Sequence, residues 1–376
     1  MSFLNLGNNY VAEIEVISPL HINSGKGDLL FDIDYAIDKR DIWVIDIEKM
    51  LKAVDVNFWN QRNCSVQISK LLKEQKYPEC SRYRLSQTSR GQQIYRIKEQ
   101  LKDPFDRLYI PGSSLKGAIR TCLAWGMIVG GGMPITKNDF GRHYRFAAQP
   151  IEAKLFGQTP NHDLLRALHV ADSESIDIKK SLNLYLVSVY SISHQTGSLK
   201  LNSKGTRFRF HVEAVPPQTM FRTRLRLDKY LLQNDFKLQF SSKREKMSAK
   251  PSSFWLIHFA RHCNAFAEEF IKTEIDFYAD YGLETVMQFY EGLRQQLFTL
   301  DREREFLLQL GWGTGWLSKT IGMALSDELL DFVRSRFRLG RRGAKEFPKS
   351  RRLIEINQIP KMPLGWIKVK LEQEHA

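Results

Sequence analysis

From Tyr10 to Ile17 apolar and polar side chains alternate, and the run stops at Ser18-Pro19. A period of two predicts a half-buried strand. After a glycine-containing loop from His21 to Asp28, strand-like segments at 32–37 and 42–47 flank the turn Asp38-Lys39-Arg40-Asp41, the pattern of a hairpin. Residues 47–79 read as helical with breaks, and the polar stretch from Ser81 to Gly91 reads as an exposed excursion. A short apolar strand at Tyr109-Ile110 then meets Pro111-Gly112 and a helix for which Ser113 or Ser114 is the expected N-cap. Residues 130–150 read as an insertion.

In the second half, 182–192 is a strand candidate, and 207–215 alternates with basic residues on one face. Pro216-Pro217 ends that run, and 219–227 begins another alternating strand that carries Arg222, Arg224 and Arg226. Helices are predicted at 253–277 and 283–298, followed by the turn-rich Gly311-Trp312-Gly313-Thr314-Gly315-Trp316 and by strands near 353–356 and 366–371. Strands and helices mixed in this way, twice over, predict an α+β chain. Its expected division is an N-terminal domain at 1–178 and a C-terminal domain at 179–376.

Charge narrows the choice of partner. The 376 residues hold 56 Lys+Arg against 42 Asp+Glu, a net charge of +14, which favours a polyanion and above all a nucleic acid. Twelve basic residues stand between Lys204 and Lys250 against four acids, and nine between Arg334 and Arg352 against one. Phe208, Phe210, Phe221, Phe337 and Phe347 interleave them, as stacking on single strands requires. The bland reading is a set of solvated charges and core aromatics. The first residues carry no basic and apolar leader, and the uncharged run between Arg120 and Lys137, broken by glycines and Pro134, is too short to span a bilayer. Cys64, Cys80, Cys122 and Cys263 form no C-x-x-C pair and fit a reducing cytoplasm.

Two segments could hold phosphate. At Gly112-Ser113-Ser114 a helix begins with unpaired N–H groups, with Lys116 and Arg120 close by, although a plain capped helix with solvated cations explains the spacing equally well. Gly311, Gly313 and Gly315, followed by Lys319, can lay backbone amides along a phosphodiester, or simply make a tight turn packed by two tryptophans. His258, His262 and Cys263 lack the further ligands of a metal site, and neither a metal nor a cofactor is expected. Asp28, Asp32 and Asp34 could gather Mg²⁺ for phosphodiester cleavage, but turn positions suit them as well.

Four segments taken together resemble the RAMP superfamily of CRISPR effector subunits. They are 17–25, 109–120, the 311–315 loop, and the tail at 347–352 with Pro363-Leu364-Gly365-Trp366. The combination is most similar to the fifth subunit of the type III-A Csm complex, which caps the 3′ end of the guide. That resemblance implies two ferredoxin-like, RRM-related domains with helical insertions and a C-terminal glycine-rich loop. It also implies sequence-independent binding of crRNA, support of 3′-end maturation, and packing against a neighbouring backbone RAMP subunit and a small helical subunit, with cellular nucleases recruited. On this basis His21, Ser113, Ser114, Lys116, Gly311, Gly313 and Gly315 are expected at the guide. Arg120, Arg207, Arg209, Arg222, Arg224, Lys319, Arg341 and Arg342 join them as basic contacts. No catalytic residue is transferred. The alternatives are a metal-dependent ribonuclease working through Asp28, Asp32 and Asp34 or through His21, and a sister subunit that grips the 5′ handle.

Overall fold

The computed structural model describes residues 4, 7–39, 41–53, 68, 72, 76–88, 93–193, 195–202, 208–232, 252–340 and 346–374. Its α+β class is the one the pattern predicts, built on two sheets. The first is fully antiparallel. Strand β1 (Asn9–Val16) lies at its centre, between β11 (Met220–Leu227) and β15 (Trp366–Gln373), with β7 (Leu168–Val170) and β12 (Glu305–Gln309) at the edges. The alternation at 10–17 is decisive here, because Tyr10, Ala12, Ile14 and Val16 point into the core and their neighbours point outward.

The second sheet is organised around β8 (Asn183–Ile192), which pairs with β10 (Arg209–Ala214), β5 (Ser81–Gln87), β9 (Leu199–Leu201) and β13 (Ser350–Ile356). Beyond β10 lie β6 (Arg96–Gln100) and β2 (Asn23–Leu30), beyond β5 the hairpin β3 (Tyr35–Asp38) and β4 (Asp41–Ile45), and β14 (Ile359–Met362) pairs with β13. Ser81–Gln87 is therefore a sheet strand rather than an exposed excursion, since Ser81, Tyr83 and Leu85 are buried while Arg82 and Arg84 face out. Both sheets draw strands from either side of residues 178/179. β1 pairs with β11 and β15, and β5 pairs with β8.

Helix α1 (Ile47–Ala53) follows the hairpin, and most of the helical run expected up to residue 79 lies outside the described residues. Helix α2 (Gly112–Val129) buries Leu115, Ile119, Cys122 and Leu123, and the short α3 (Gln149–Phe156) packs beside it. The helix expected at 253–277 is two: α4 (Ser252–Ile257) and α5 (Phe259–Tyr281), with a break at His258, whose Nδ1 lies 3.4 Å from Glu303. Along α5, Phe259, Cys263, Phe266 and Phe270 recur every three to four residues on one stripe that continues two turns on at Tyr278, and α2, β12 and α6 (Glu284–Thr299) pack against this helix. Each such side chain stabilises the fold by about 1.5–3 kcal/mol through burial. Buried Asn264 satisfies β12 like an added strand, donating to Glu305 O at 2.8 Å and accepting from Leu307 N at 3.2 Å. Helix α7 (Asp327–Phe337) completes the described helices. Among the described residues, no helix is long and apolar enough to cross a membrane.

Candidate nucleic-acid interface

Three motifs far apart in sequence meet where β1 leaves the first sheet. Ser18 Oγ accepts from Trp366 N at 2.9 Å, Pro19 O accepts from Gly365 N at 3.0 Å, and His21 O accepts from Trp312 N at 2.7 Å. Leu20 then exchanges both backbone bonds with Val215, tying this crossing to β10's end. The glycine loop is thus held from two sides by backbone. Gly311 has φ +88°, and a Cβ there would run into the His21 carbonyl, so both its conformation and its neighbour require glycine.

His21 faces the interior. Its ring is fully buried, with Nδ1 donating to Glu213 O at 2.7 Å and its edge against the Trp312 ring, so its part is to seat the loop. Burial, more than the neighbouring Lys98 and Lys102, pushes its pKa down to about 4, although the hydrogen bond to Glu213 opposes this. The folded chain favours the neutral ring, so the unfolded chain holds the extra proton between pH 4 and 6.5. His21's contribution is complete above the unfolded value and fades as pH falls toward 4. Lowering pH from 7 to 5 should cost about 2 kcal/mol from this residue. Urea unfolding at the two pH values checks it: His21→Asn should flatten the dependence, and an unchanged slope would refute the assignment.

Around the loop the cations divide into engaged and free. Lys98 Nζ and the Arg352 guanidinium lie 5.4 and 5.3 Å from the Trp312 ring centre, and Phe210 packs edge-on against that ring at 5.4 Å. Lys98 is paired with Asp28 at 3.2 Å. Arg352 and Lys319 are exposed and, among the described residues, have no ion-pair partner. Partial burial lowers the pKa of both, and for Lys319 the nearby Arg352 charge adds to it. Two cations that repel one another beside exposed Gly315, where the space is open, form a site an anion would stabilise.

The other expected contacts are distributed differently. Helix α2 starts at Gly112 behind Pro111, so neither serine is the cap, and Asp172 Oδ1 accepts from Gly112 N at 2.8 Å. Gly112 is required because a Cβ would strike the carbonyls of Val170 and Ala171. Ser113 is exposed and Ser114 half-buried, and α2 touches the turn that carries Lys319. Lys116 is half-buried, and desolvation lowers its pKa. Arg120 is held by Asp163 at 2.7 Å and Glu152 at 3.1 Å over the Phe156 ring, which makes it a structural residue.

Arg209 likewise serves a buried carboxylate, Glu355, at 3.3 Å. Arg222 and Arg224 lie on the outer face of the first sheet, 3.7 Å from Glu13 and 3.3 Å from Glu374. That face carries its own counter-charges and is not a bare cationic surface. Arg207, Arg341 and Arg342 lie outside the described residues. Asp34 accepts from Leu30 N at 2.7 Å and Asp28 is paired to Lys98, so these two carboxylates have structural partners, and Asp32 occupies a left-handed turn position. Among the described residues, no cluster of His, Cys, Asp and Glu could hold a metal.

A family model described as the RAMP superfamily matches residues 13–318. The chain belongs to the RAMP superfamily. Over 112 residues it is 34% identical to a Streptococcus thermophilus protein described as CRISPR system Cms protein Csm5, and this match spans 28% of the RAMP chain and 29% of that relative. Its fold is similar to a chain in the cryo-EM structure of a Csm-crRNA-target RNA ternary complex of a type III-A CRISPR-Cas system, with TM-score 0.69, 24% identity, and coverage of 96% and 100%. A crystal structure of T. onnurineus Csm5 gives TM-score 0.66 and 23% identity, covering 94% and 99%. At these identities the likeness establishes the RAMP fold.

Sequence reasoning found the glycine loop but not its partners. Lys98, Phe210 and Arg352 come from three other segments that the fold brings to Trp312. The one local hint was the pair of tryptophans flanking the glycines.

Proposed function

We propose that this chain binds crRNA without reading its sequence, as the subunit that caps the guide's 3′ end in a type III-A effector complex. The single observation that carries this reading is the unpaired Arg352–Lys319 couple at exposed Gly315, beside the Trp312 platform. RAMP membership and the partial likeness to Csm5 supply the class of RNA. In this reading Gly313, Gly315, Lys319 and Arg352 hold phosphates, with Ser113, Ser114 and Lys116 extending the track. His21, Arg120 and Arg209 position the scaffold. The neighbours are a backbone RAMP subunit and the small helical subunit, the compartment is the cytoplasm, and cellular nucleases recruited to the complex trim the guide. The chain itself is non-catalytic in this account, and the structural partners of Asp28 and Asp34 support that.

Loss of charge-assisted contacts to phosphate is worth about 1.5–3 kcal/mol each. Arg352→Ala and Lys319→Ala should therefore each weaken binding to single-stranded RNA about 10- to 100-fold in filter binding, while Arg222→Ala stays within about twofold. Equal losses at all three positions would contradict the placement. Crosslinking to a guide labelled at either end tests polarity, and a signal confined to the 5′ end would overturn the capping assignment.

A further inference from the structure

The turn that leads into α3 directs its aromatic rings outward. Phe140, just before it, is buried and packs at 6.0 Å against Phe332 of α7. Tyr144 and Phe146 are instead 61% and 57% exposed, and the His143 ring lies 4.5 Å from the first and 6.0 Å from the second. Backbone, not core packing, holds these rings in place. Gly141 N donates to Ala147 O at 2.9 Å, Phe146 N to His143 O at 3.0 Å, and Arg145 N to His143 Nδ1 at 3.2 Å. A turn fixed in this way loses little conformational freedom when a ligand stacks on it.

Charge decides what stacks there. Residues 140–151 include no acid, and the carboxylates on either side are engaged, Asp139 by Lys154 and Glu152 by Arg120 at 3.1 Å. Arg142 and Arg145 are exposed and, among the described residues, have no ion-pair partner. The Arg145 guanidinium lies 5.9 Å from the centre of the Tyr144 ring, and its Nε donates to Tyr144 Oη at 3.2 Å. Exposed ring faces interleaved with two free cations match a single strand, whose bases stack on any aromatic face and whose phosphates need counter-charge. We infer that the turn at 142–146 is a second RNA contact, a platform that stacks unpaired bases on Tyr144 and Phe146 while Arg142 and Arg145 meet the adjoining phosphates. The turn feeds α3, whose Glu152 holds Arg120, one helical turn from Lys116 on α2. The inference rests on the RNA-binding reading above and adds to it a place where bases are held as well as phosphates.

Tyr144→Ala/Phe146→Ala removes both exposed rings and leaves the core intact. Measured on the full chain with single-stranded RNA, it should weaken binding about 5- to 100-fold and leave the salt dependence unchanged, because no charge is lost. Tyr144→Trp should keep wild-type affinity, whereas Tyr144→Leu, which retains apolar area without a ring face, should lose about fivefold. Arg142→Ala/Arg145→Ala should bring the slope of log affinity against log salt from roughly −4 to about −3. RNA carrying 4-thiouridine should crosslink to the peptide that contains Tyr144. Wild-type affinity in Tyr144→Ala/Phe146→Ala, alongside the losses expected at Lys319 and Arg352, would overturn the platform and leave RNA binding standing. Full affinity in Tyr144→Leu, or unchanged RNA binding with loss of a neighbouring subunit from the complex, would make the turn a protein contact and overturn the platform equally. A wild-type chain that fails to bind RNA at low salt would overturn both readings.

Discussion

Glu213→Ala is expected to destabilise the chain by about 3–5 kcal/mol, the range for stripping one partner from a buried ion pair. Glu213 is wholly buried, and its carboxylate accepts from Tyr83 Oη at 2.8 Å, from Gln100 N at 2.9 Å and from Lys102 Nζ at 2.5 Å. The Lys102 side chain is itself 3% exposed, so removal of the carboxylate leaves a buried ammonium with the Gln100 carbonyl at 3.1 Å and Glu99 at 3.7 Å as its remaining polar neighbours among the described residues. The damage should spread toward the candidate interface, because the same residue's carbonyl holds His21 and Gln100 Oε1 accepts from Ile22 N. A double replacement, Glu213→Leu with Lys102→Met, removes both charges and should recover most of the loss, since paired apolar substitution of buried ions is often neutral. Urea unfolding at pH 7 measures both variants. A single-variant loss below about 1 kcal/mol, or a double variant no better than the single, would contradict this account.

None of that network was visible in the sequence, where Glu213 reads as a lone acid in a basic strand and Lys102 lies 111 residues away. Local pattern succeeded where one face of a strand meets the core and the other meets solvent, as in β1 and β11. It failed at β5, whose outward arginines dominate the composition. It also failed at β2, expected as a loop because Gly25, Lys26 and Gly27 suit a turn, although an edge strand needs only backbone pairing with β6. The same distinction explains the arginines of β11. Alternation correctly put Arg222 and Arg224 on one face, but the carboxylates opposite belong to residues 13 and 374, and no local window contains them. The phosphate-holding reading of the glycine loop was legible as a possibility. Its cations became assignable only once folding showed which were already paired.

Salt should act on RNA binding more strongly than any single substitution. If about six phosphates are neutralised, the single-strand slope of about −0.7 per phosphate gives roughly −4 in log affinity against log salt. Raising monovalent salt from about 50 to 200 mM should then weaken binding roughly 300-fold. The structure divides that sum between residues. Lys319 and Arg352 each account for about one phosphate, so Lys319→Ala/Arg352→Ala should bring the slope from roughly −4 to about −3. Arg120 and Arg209, held by Asp163 and Glu355, should leave the slope of the folded protein unchanged when replaced by lysine. Titration by fluorescence anisotropy at four salt concentrations separates these cases. A wild-type affinity that changes less than about tenfold over the same range would mean that stacking and neutral hydrogen bonds dominate. In that outcome the exposed cations beside Gly315 would have to meet an acidic protein surface instead, and the loop would be a subunit contact rather than a grip on the guide.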